Sequence, residues 1–280
     1  MKTYSTSDIT SLWQQQLLSQ AAWYNLRGRE ARKKVTDRLA EHFLTMQQPL
    51  GTLCFLEVGA HEASFSCRAK SMYPEAKVFA FEANPYVYDK HKDEINRDAP
   101  SLNYIHSAIC DHDGTTFLAI SNSISGKSEA LDSKRHSLLT RKDSDHVDYI
   151  EVPCAKLDSI FDKNKINGIP SCLWCDVEGA SSQVLIGAEA ILGSVTSLYI
   201  ELSTKEFWEG EWKDIHVFDW LIEHDFVPIF RDFEWSFQYN AIFVNKKFYH
   251  NCNNHNAMYI QRCVRERIEE VIAVCQQQKI

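Results

Sequence analysis

The run Phe55-Leu56-Glu57-Val58-Gly59-Ala60-His61-Glu62-Ala63 places apolar residues, an acid and then small residues in immediate succession. That order predicts a buried parallel strand handing over to a helix, the point where open α/β sheets hold nucleotide-like ligands. A second acid, Glu82, follows Lys77-Val78-Phe79-Ala80-Phe81 about one βα unit later. Together they predict a Rossmann-like crevice, with one carboxylate at the ligand's polar end and the other for its ribose hydroxyls.

From Leu53 onward, strand and helix patterns alternate, the signature of a parallel α/β sheet. Strands are expected at Cys54–Val58, Lys77–Phe81, Asn103–Ile109, Thr115–Ile120, Tyr149–Val152, Cys172–Val177, Ser197–Glu201, Phe226–Phe230 and Asn240–Val244. Helices are expected near Ser64–Met72, Pro85–Asn96, Leu157–Phe161, Ser181–Leu192 and His216–His224. Residues 121–148 are polar and long for a connection inside a compact domain, which marks them as functional or disordered. Helical patterning before Pro49-Leu50-Gly51 predicts an N-terminal extension over 1–50, serving as a lid or a dimer surface. The main domain is assigned to 51–250, and a C-terminal helix to 251–280, with Val264, Ile268, Val271 and Ile272 on one side. A homo-oligomer would form through these terminal helices.

The 280 residues, 44% of them hydrophobic, suit one large core with additions rather than two domains. No apolar stretch approaches the roughly 20 residues that span a bilayer, and Met1-Lys2-Thr3-Tyr4-Ser5 lacks a signal peptide's layout. A cytoplasmic protein with no membrane span is expected. The net charge of -8 argues against a general nucleic-acid binder, and the basic run Arg27–Lys34 reads as a solvated helix face. Nine cysteines without framework spacing fit reduced thiols. Cys172-Leu173-Trp174-Cys175 has CxxC spacing, but residues three apart on a strand face opposite sides. The stretch His250-Asn251-Cys252-Asn253-Asn254-His255 lacks the four ligands of a closed zinc site and reads as a polar loop.

Glu57, Asp176 and Glu201 each end a strand, and ligands of open α/β sheets bind at the strands' carboxyl ends. These acids should converge on one crevice, with Glu82 lining its side. A nicotinamide fingerprint needs three glycines to seat a pyrophosphate on a helix N-terminus, whereas only Gly59 follows Glu57, with Ala60 and Ala63 nearby. A ligand with a ribose and a charged amino acid but no phosphate suits this turn better, and S-adenosylmethionine fits that description.

Several motifs in order resemble the FkbM-type S-adenosylmethionine-dependent methyltransferases. Glu57-Val58-Gly59-Ala60-His61-Glu62-Ala63 resembles that family's D-V-G-A-N-x-G, and Phe81-Glu82-Ala83-Asn84-Pro85 its F-E-P-x-P. Ala108-Ile109-Cys110-Asp111 with Gly114 is similar to A-L-S-D…G, and Lys156-Leu157-Asp158-Ser159-Ile160 to T-L-D-x-L. Asp176-Val177-Glu178-Gly179-Ala180 is similar to D-I-E-G-x-E, with Tyr199-Ile200-Glu201 following. The resemblance covers about Leu53 to Val244. It implies a class I Rossmann-like fold, with a mostly parallel seven-stranded sheet and helices on both faces. It also implies S-adenosylmethionine as cofactor, held by Glu57, Gly59, Ala60, His61, Glu82, Ala83, Asn84, Ala108 and Asp176. The chain departs from the pattern at Glu57, His61, Ala63 and Ser181. Ala63 suits its place if that position takes ordinary helical dihedrals, and His61 is expected to narrow the methionine end of the pocket or touch the acceptor.

What the resemblance implies for chemistry is O-methylation of a hydroxyl on a sugar, glycan or secondary metabolite, the acceptor being a small molecule or a glycan. Such a transfer needs the acceptor held near the methyl carbon and its proton removed. Asp176 leads as orienter or base, and His136 of the long loop is second. Glu178, Glu201 and Trp208 are candidate acceptor contacts, the last with Trp212 as an aromatic wall. Carboxylates at Asp176 and Glu201 suit a divalent cation, but the spacing demands none, and no metal is assigned. A non-catalytic binding or scaffold protein of this fold is the alternative from another class, and a nicotinamide-dependent dehydrogenase is third.

Overall fold

Parallel strands in this protein are built from short β-branched and aromatic runs whose alternate residues enter two different cores. The computed structural model describes residues 29–251 apart from 233, 234 and 236. The expectations for residues 1–28 and for the C-terminal helix, and oligomer contacts through them, lie outside those residues.

One sheet of seven strands runs in the order β10-β11-β9-β8-β1-β2-β3. These are β1 (Cys54–Val58), β2 (Lys77–Glu82), β3 (Asn103–His106), β8 (Ser171–Cys175), β9 (Val195–Ser203), β10 (Phe226–Arg231) and β11 (Gln238–Asn245). β3, β2, β1, β8 and β9 are mutually parallel, and β11 and β10 close the edge as an antiparallel hairpin. This is the mostly parallel seven-stranded sheet expected from the sequence. The inserted β11 separates it from a dinucleotide-binding sheet, whose strands run 3-2-1-4-5-6.

Side-chain alternation divides the helices between the sheet's faces. Cys54, Leu56 and Val58 of β1 enter one core with Leu157 and Phe161 of α5 (Leu157–Asn164), Val184 of α6 (Ser181–Ile186) and Phe218 of α7 (Asp214–Glu223). Phe55, Val78 and Ala80 enter the other, with Leu39 and Phe43 of α1 (Arg29–Thr45), Phe65 of α3 (Ser64–Met72) and Ile95 of α4 (Pro85–Asp98). Cys172 lies in the second core and Cys175 in the first, so that pair does face opposite sides.

The expected N-terminal extension proves partly integral to the domain. Phe43 is fully buried and packs 5.8 Å from Phe65, 6.1 Å from Trp174 and 5.7 Å from Tyr199. The short α2 (Gln47–Leu50) contributes a buried amide. Gln47 Nε2 donates to Phe43 O at 2.6 Å, and its Oε1 accepts from Thr52 Oγ1 at 2.8 Å and Ser197 Oγ at 3.1 Å.

Three expectations are corrected. The strand expected over Asn103–Ile109 breaks after His106, and β4 (Ala108–Ile109) joins a second sheet. That sheet, β4-β7-β5-β6, joins β5 (Gly114–Ile124), β6 (Lys127–Ser128) and β7 (Ser144–Ala155), much of it in the stretch read as loop. Strand extends into 121–124, 127–128 and 144–148, whereas 129–143 is the irregular connection that the polar composition predicts. The helix expected over Ser181–Leu192 ends at Ile186 and resumes as a 3₁₀ segment, Glu189–Ser194, because Gly187 lies against the Cys110 backbone.

The turn after β1 is the tightest backbone contact at the cleft. Gly59 has φ +78°, and a Cβ there would stand 1.9 Å from the Asp176 carbonyl oxygen. Gly59→Ala should therefore part β1 from the β8 terminus and cost roughly 2–4 kcal/mol. A thermal melt would show this as a fall of about 5 °C or more; an unchanged midpoint would contradict the packing.

Candidate active site

Four strand-end acids reach the same face of the large sheet. Phe55, Val78, Ala80, Cys172 and Tyr199 belong to the core beneath α1 and α3. By the two-residue period, Glu57, Glu82, Asp176 and Glu201 project to that side. Cross-strand register sets their heights: Glu57 lies opposite Ala80 and Trp174, whereas Val58 lies opposite Phe81 and Cys175, and Cys175 opposite Ile200, so Glu82, Asp176 and Glu201 follow at one level, two residues beyond Glu57. All four line a single cavity of ≈ 350 Å³, within the range of small-molecule sites.

At one end, Glu82 is 8% exposed and its carboxylate is held by backbone amides. His61 N–H donates to Oε2 and Asn84 N–H to Oε1, each at 2.7 Å. Burial pushes its pKa up while these bonds oppose the rise. Asn84 also caps α4, its Oδ1 accepting from Tyr86 N at 3.0 Å. Ala83, Ser107, Ala108, Ile109 and Leu118 continue this wall. Gly59 N and Ala60 N both donate to the Phe81 carbonyl, at 3.1 and 2.9 Å, which ties the turn to β2.

His61 works chiefly through its backbone. Its carbonyl accepts from Tyr104 Oη at 2.5 Å, while its ring lies beside Glu62 and 5.4 Å from the His91 ring. It has φ +47°, and Ala63 has φ +53°. The condition for Ala63, ordinary helical dihedrals, is not met: the alanine occupies a left-handed conformation, which costs a non-glycine residue about 1–2 kcal/mol.

At the other end, the carboxylate oxygens of Asp176, Glu178 and Glu201 lie within 4.8 Å of one another, a separation that one divalent cation can bridge. Asp176 is exposed to the cavity yet enclosed by protein, and that confinement pushes its carboxyl up. Glu178, at φ +50°, is pushed up to about 8 by burial and by Asp176. Glu201 is driven well above the usual range by burial, with Asp176 and Glu178 adding to it. Glu57 is 4% exposed, and its Oε2 accepts from Ser66 N at 2.9 Å. Burial raises it to about 7.

Two sequence candidates stand differently from expectation. His136 lines the cavity, but both ring nitrogens are engaged. Nδ1 accepts from Ser121 N at 3.3 Å and Nε2 donates to Ala130 O at 2.9 Å. Burial lowers its pKa, so a neutral ring pins the loop, with no nitrogen left to take a proton. Trp208 is corrected outright. It is fully buried, and a Cβ on Gly179 would lie 2.7 Å from its Cε3, so the indole supports the turn beneath Glu178 and touches no acceptor. Trp212 is likewise packed against the core.

Other lining residues escaped sequence reasoning. Trp174 stacks on Tyr199 with ring centroids 3.7 Å apart and lines the cavity. Its signal was available, since it precedes Asp176 by two residues in a strand and shares its face. Ala40 and Leu44 of α1, Arg68 of α3 and Lys134 of the loop also line it. Lys134 Nζ donates to Glu62 Oε1 at 3.1 Å, which bridges the loop and the β1 turn. No local pattern announces such long-range neighbours.

The Methyltransferase FkbM domain model matches residues 57–228, which include every one of these acids. The chain belongs to the FkbM methyltransferase family. A curated relative, the 2-O-methyltransferase NoeI of Sinorhizobium fredii (strain NBRC 101917 / NGR234), is 24% identical over 164 residues. That match covers 56% of this chain and 65% of the relative. Among solved structures, precorrin-6y C5,15-methyltransferase from Geobacter metallireducens GS-15 aligns with a TM-score of 0.41 and 12% identity, over 74% of this chain and 87% of that one. Magnesium protoporphyrin IX methyltransferase (ChlM) from Synechocystis PCC 6803 with bound SAM aligns with a TM-score of 0.42 and 8% identity, over 77% and 80%.

Glu57 gives this FkbM domain a pH signature. Its folded pKa of about 7 lies above the ordinary 4.5, so folding favours the protonated acid. That contribution is whole below the ordinary value and is lost as pH rises through about 7. The melting temperature of the protein without added ligand should fall from about pH 5 to 7.5, and Glu57→Gln should flatten part of that fall. An equal slope in the variant would contradict the assignment.

Proposed function

We propose that the protein is an S-adenosylmethionine-dependent O-methyltransferase acting on a hydroxyl of a sugar, glycan or secondary metabolite. The observation that carries this reading is the convergence of Glu57, Glu82, Asp176, Glu178 and Glu201 on one cavity. An interior so rich in carboxylates repels a pyrophosphate and favours a ligand bearing an ammonium and a sulfonium. The turn after β1 offers one glycine rather than a phosphate cradle, which supports the same choice over a nicotinamide cofactor.

When bound, S-adenosylmethionine supplies an electrophilic methyl group. Glu82, fixed by two backbone amides, accepts from the ribose hydroxyls, beside Ala83, Asn84 and Ala108. Gly59, Ala60 and the His61 backbone shape the turn, and Glu57 holds the first turn of α3 through Ser66. Asp176 orients the acceptor hydroxyl and takes its proton. Glu178 and Glu201 touch the acceptor's polar groups and share a proton with Asp176, because three carboxylates this close do not all ionise near neutrality. Ala40 and Leu44 exclude water from the same space. The relative NoeI, named as a 2-O-methyltransferase, supports a hydroxyl acceptor.

Glu82→Ala should weaken S-adenosylmethionine binding by roughly 10–100-fold in calorimetry, through the loss of charged hydrogen bonds. Unchanged affinity would remove the ribose assignment. Asp176→Asn should lower kcat by about 10²–10⁴-fold while leaving cofactor affinity nearly intact. The opposite pattern would move Asp176 into cofactor binding. Incubation with labelled methyl donor and a panel of hydroxylated glycans and metabolites tests the acceptor class.

A further inference from the structure

A second group of reactive side chains lies where the smaller sheet meets the turn between β4 and β5. Cys110, His112 and Cys154 bring two thiol sulfurs and a ring nitrogen within 4.8 Å of one another. β4 and β7 run parallel with Ala108 opposite Cys154. Cys110, two residues beyond Ala108, projects from the same sheet face as Cys154. Both cysteines sit in a small core with Leu118, Ile120 and Val152, while His112 stands exposed at its edge.

We propose that Cys110, His112 and Cys154 bind one zinc ion, with a fourth position open to water or an external ligand. Two thiols and an imidazole are the donor types zinc prefers, at about 2.3 Å for sulfur and 2.0–2.1 Å for nitrogen. A tetrahedron with those bonds holds adjacent sulfur and nitrogen ligands about 3.5 Å apart. Cys110 Sγ and His112 Nδ1 stand 3.8 Å apart, so a shift of a few tenths of an ångström assembles the pair.

The imidazole is oriented for this role. Nε2 lies 3.2 Å from the Thr115 carbonyl, and donating there leaves Nδ1 without a proton, 3.8 Å from Cys110 Sγ. Nδ1 also stands 2.9 Å from Asp111 Oδ1. Both ring nitrogens thus face acceptors, an arrangement that calls for a second proton or a cation at Nδ1. The thiols converge in the same way. Cys110 Sγ donates to His112 O at 3.1 Å, and Cys154 Sγ donates to that same oxygen at 3.6 Å. Zinc binding releases the two thiol protons to solvent and exchanges these weak bonds for two metal–sulfur bonds.

A disulfide is the rival chemistry, and the strand geometry disfavours it. Strand spacing and rise put the Cα atoms of a residue and its partner's second neighbour about 8 Å apart. Disulfides need less than about 7 Å, whereas two ligands of one metal tolerate the longer span. Bound zinc would clip the β4–β5 turn to β7, directly behind Ala108 and Ile109 of the cavity wall.

The test uses the full chain, stripped with a chelator under reducing conditions and titrated with zinc, then with cobalt as a spectroscopic probe. One ion per chain is expected, with thiolate-to-cobalt charge transfer. Cys154→Ser and His112→Ala should each weaken zinc binding by at least about 100-fold. Cys67→Ser, on α3 and outside the group, should leave it unchanged. His112 is exposed, so its variant reads the site even where Cys154→Ser lowers folding stability. Equal affinity in wild type and His112→Ala would overturn the proposal, and so would a Cys110–Cys154 disulfide in the unreduced protein.

Discussion

The parallel register of β2, β1, β8 and β9 is the constraint on which the site rests. Neighbouring parallel strands present equivalent residues at one height, so an acid at the end of each becomes part of a row. Glu82, Glu57, Asp176 and Glu201 come from segments far apart in the chain, yet the ladder gives them a common face, with Glu82, Asp176 and Glu201 at one level and Glu57 two residues deeper. A one-residue slip of β8 would turn Asp176 into the opposite core and Cys175 into the cavity. The tight approach of Gly59 to the Asp176 carbonyl fixes this register at the strand ends.

Gathering so many carboxylates in one enclosed space has an electrostatic cost that the fold manages in different ways. Glu82 is neutralised in part by two backbone amides, and Glu57 by the amide of Ser66. Glu178 feels Arg141 and Arg135, which oppose the effect of its burial. Asp176 retains contact with the cavity itself. The residual strain is poised toward protonation or toward a cationic ligand, which is the polarity a sulfonium donor brings. Backbone strain accumulates at the same place, with left-handed residues at His61, Ala63 and Glu178.

Much of this was legible because it is local. Two-residue alternation located the strands, an acid followed by small residues located their ends, and α3 falls where its pattern placed it, Ser64–Met72. Period-two reasoning also placed Cys172 and Cys175 on opposite faces. What escaped depends on distant partners. Trp208 looks like an exposed aromatic beside charged neighbours, and only the packing of Gly179 on its ring shows it to be buried. The hairpin of β5 and β7 hid behind polar residues, because one face of an antiparallel pair can be solvated. His136 advertised chemistry by residue type, whereas its partners are backbone atoms of its own loop. Cys110 and Cys154 are separated by that same hairpin, so no spacing rule reveals that they meet.

Gln47 gives the covering helix a property that greasy contacts lack. Apolar surfaces tolerate sliding, but the amide of Gln47 is matched to Thr52, Ser197 and the Phe43 carbonyl, each in a fixed direction. Displacing α1 and α2 by a single helical turn would part Gln47 Oε1 from Ser197 and leave buried polar groups unpaired, at about 1–3 kcal/mol for each orphaned group. The roof that Ala40 and Leu44 place over the carboxylates therefore has one permitted height. The clearance above the cavity is thus set by a glutamine that is not part of its lining.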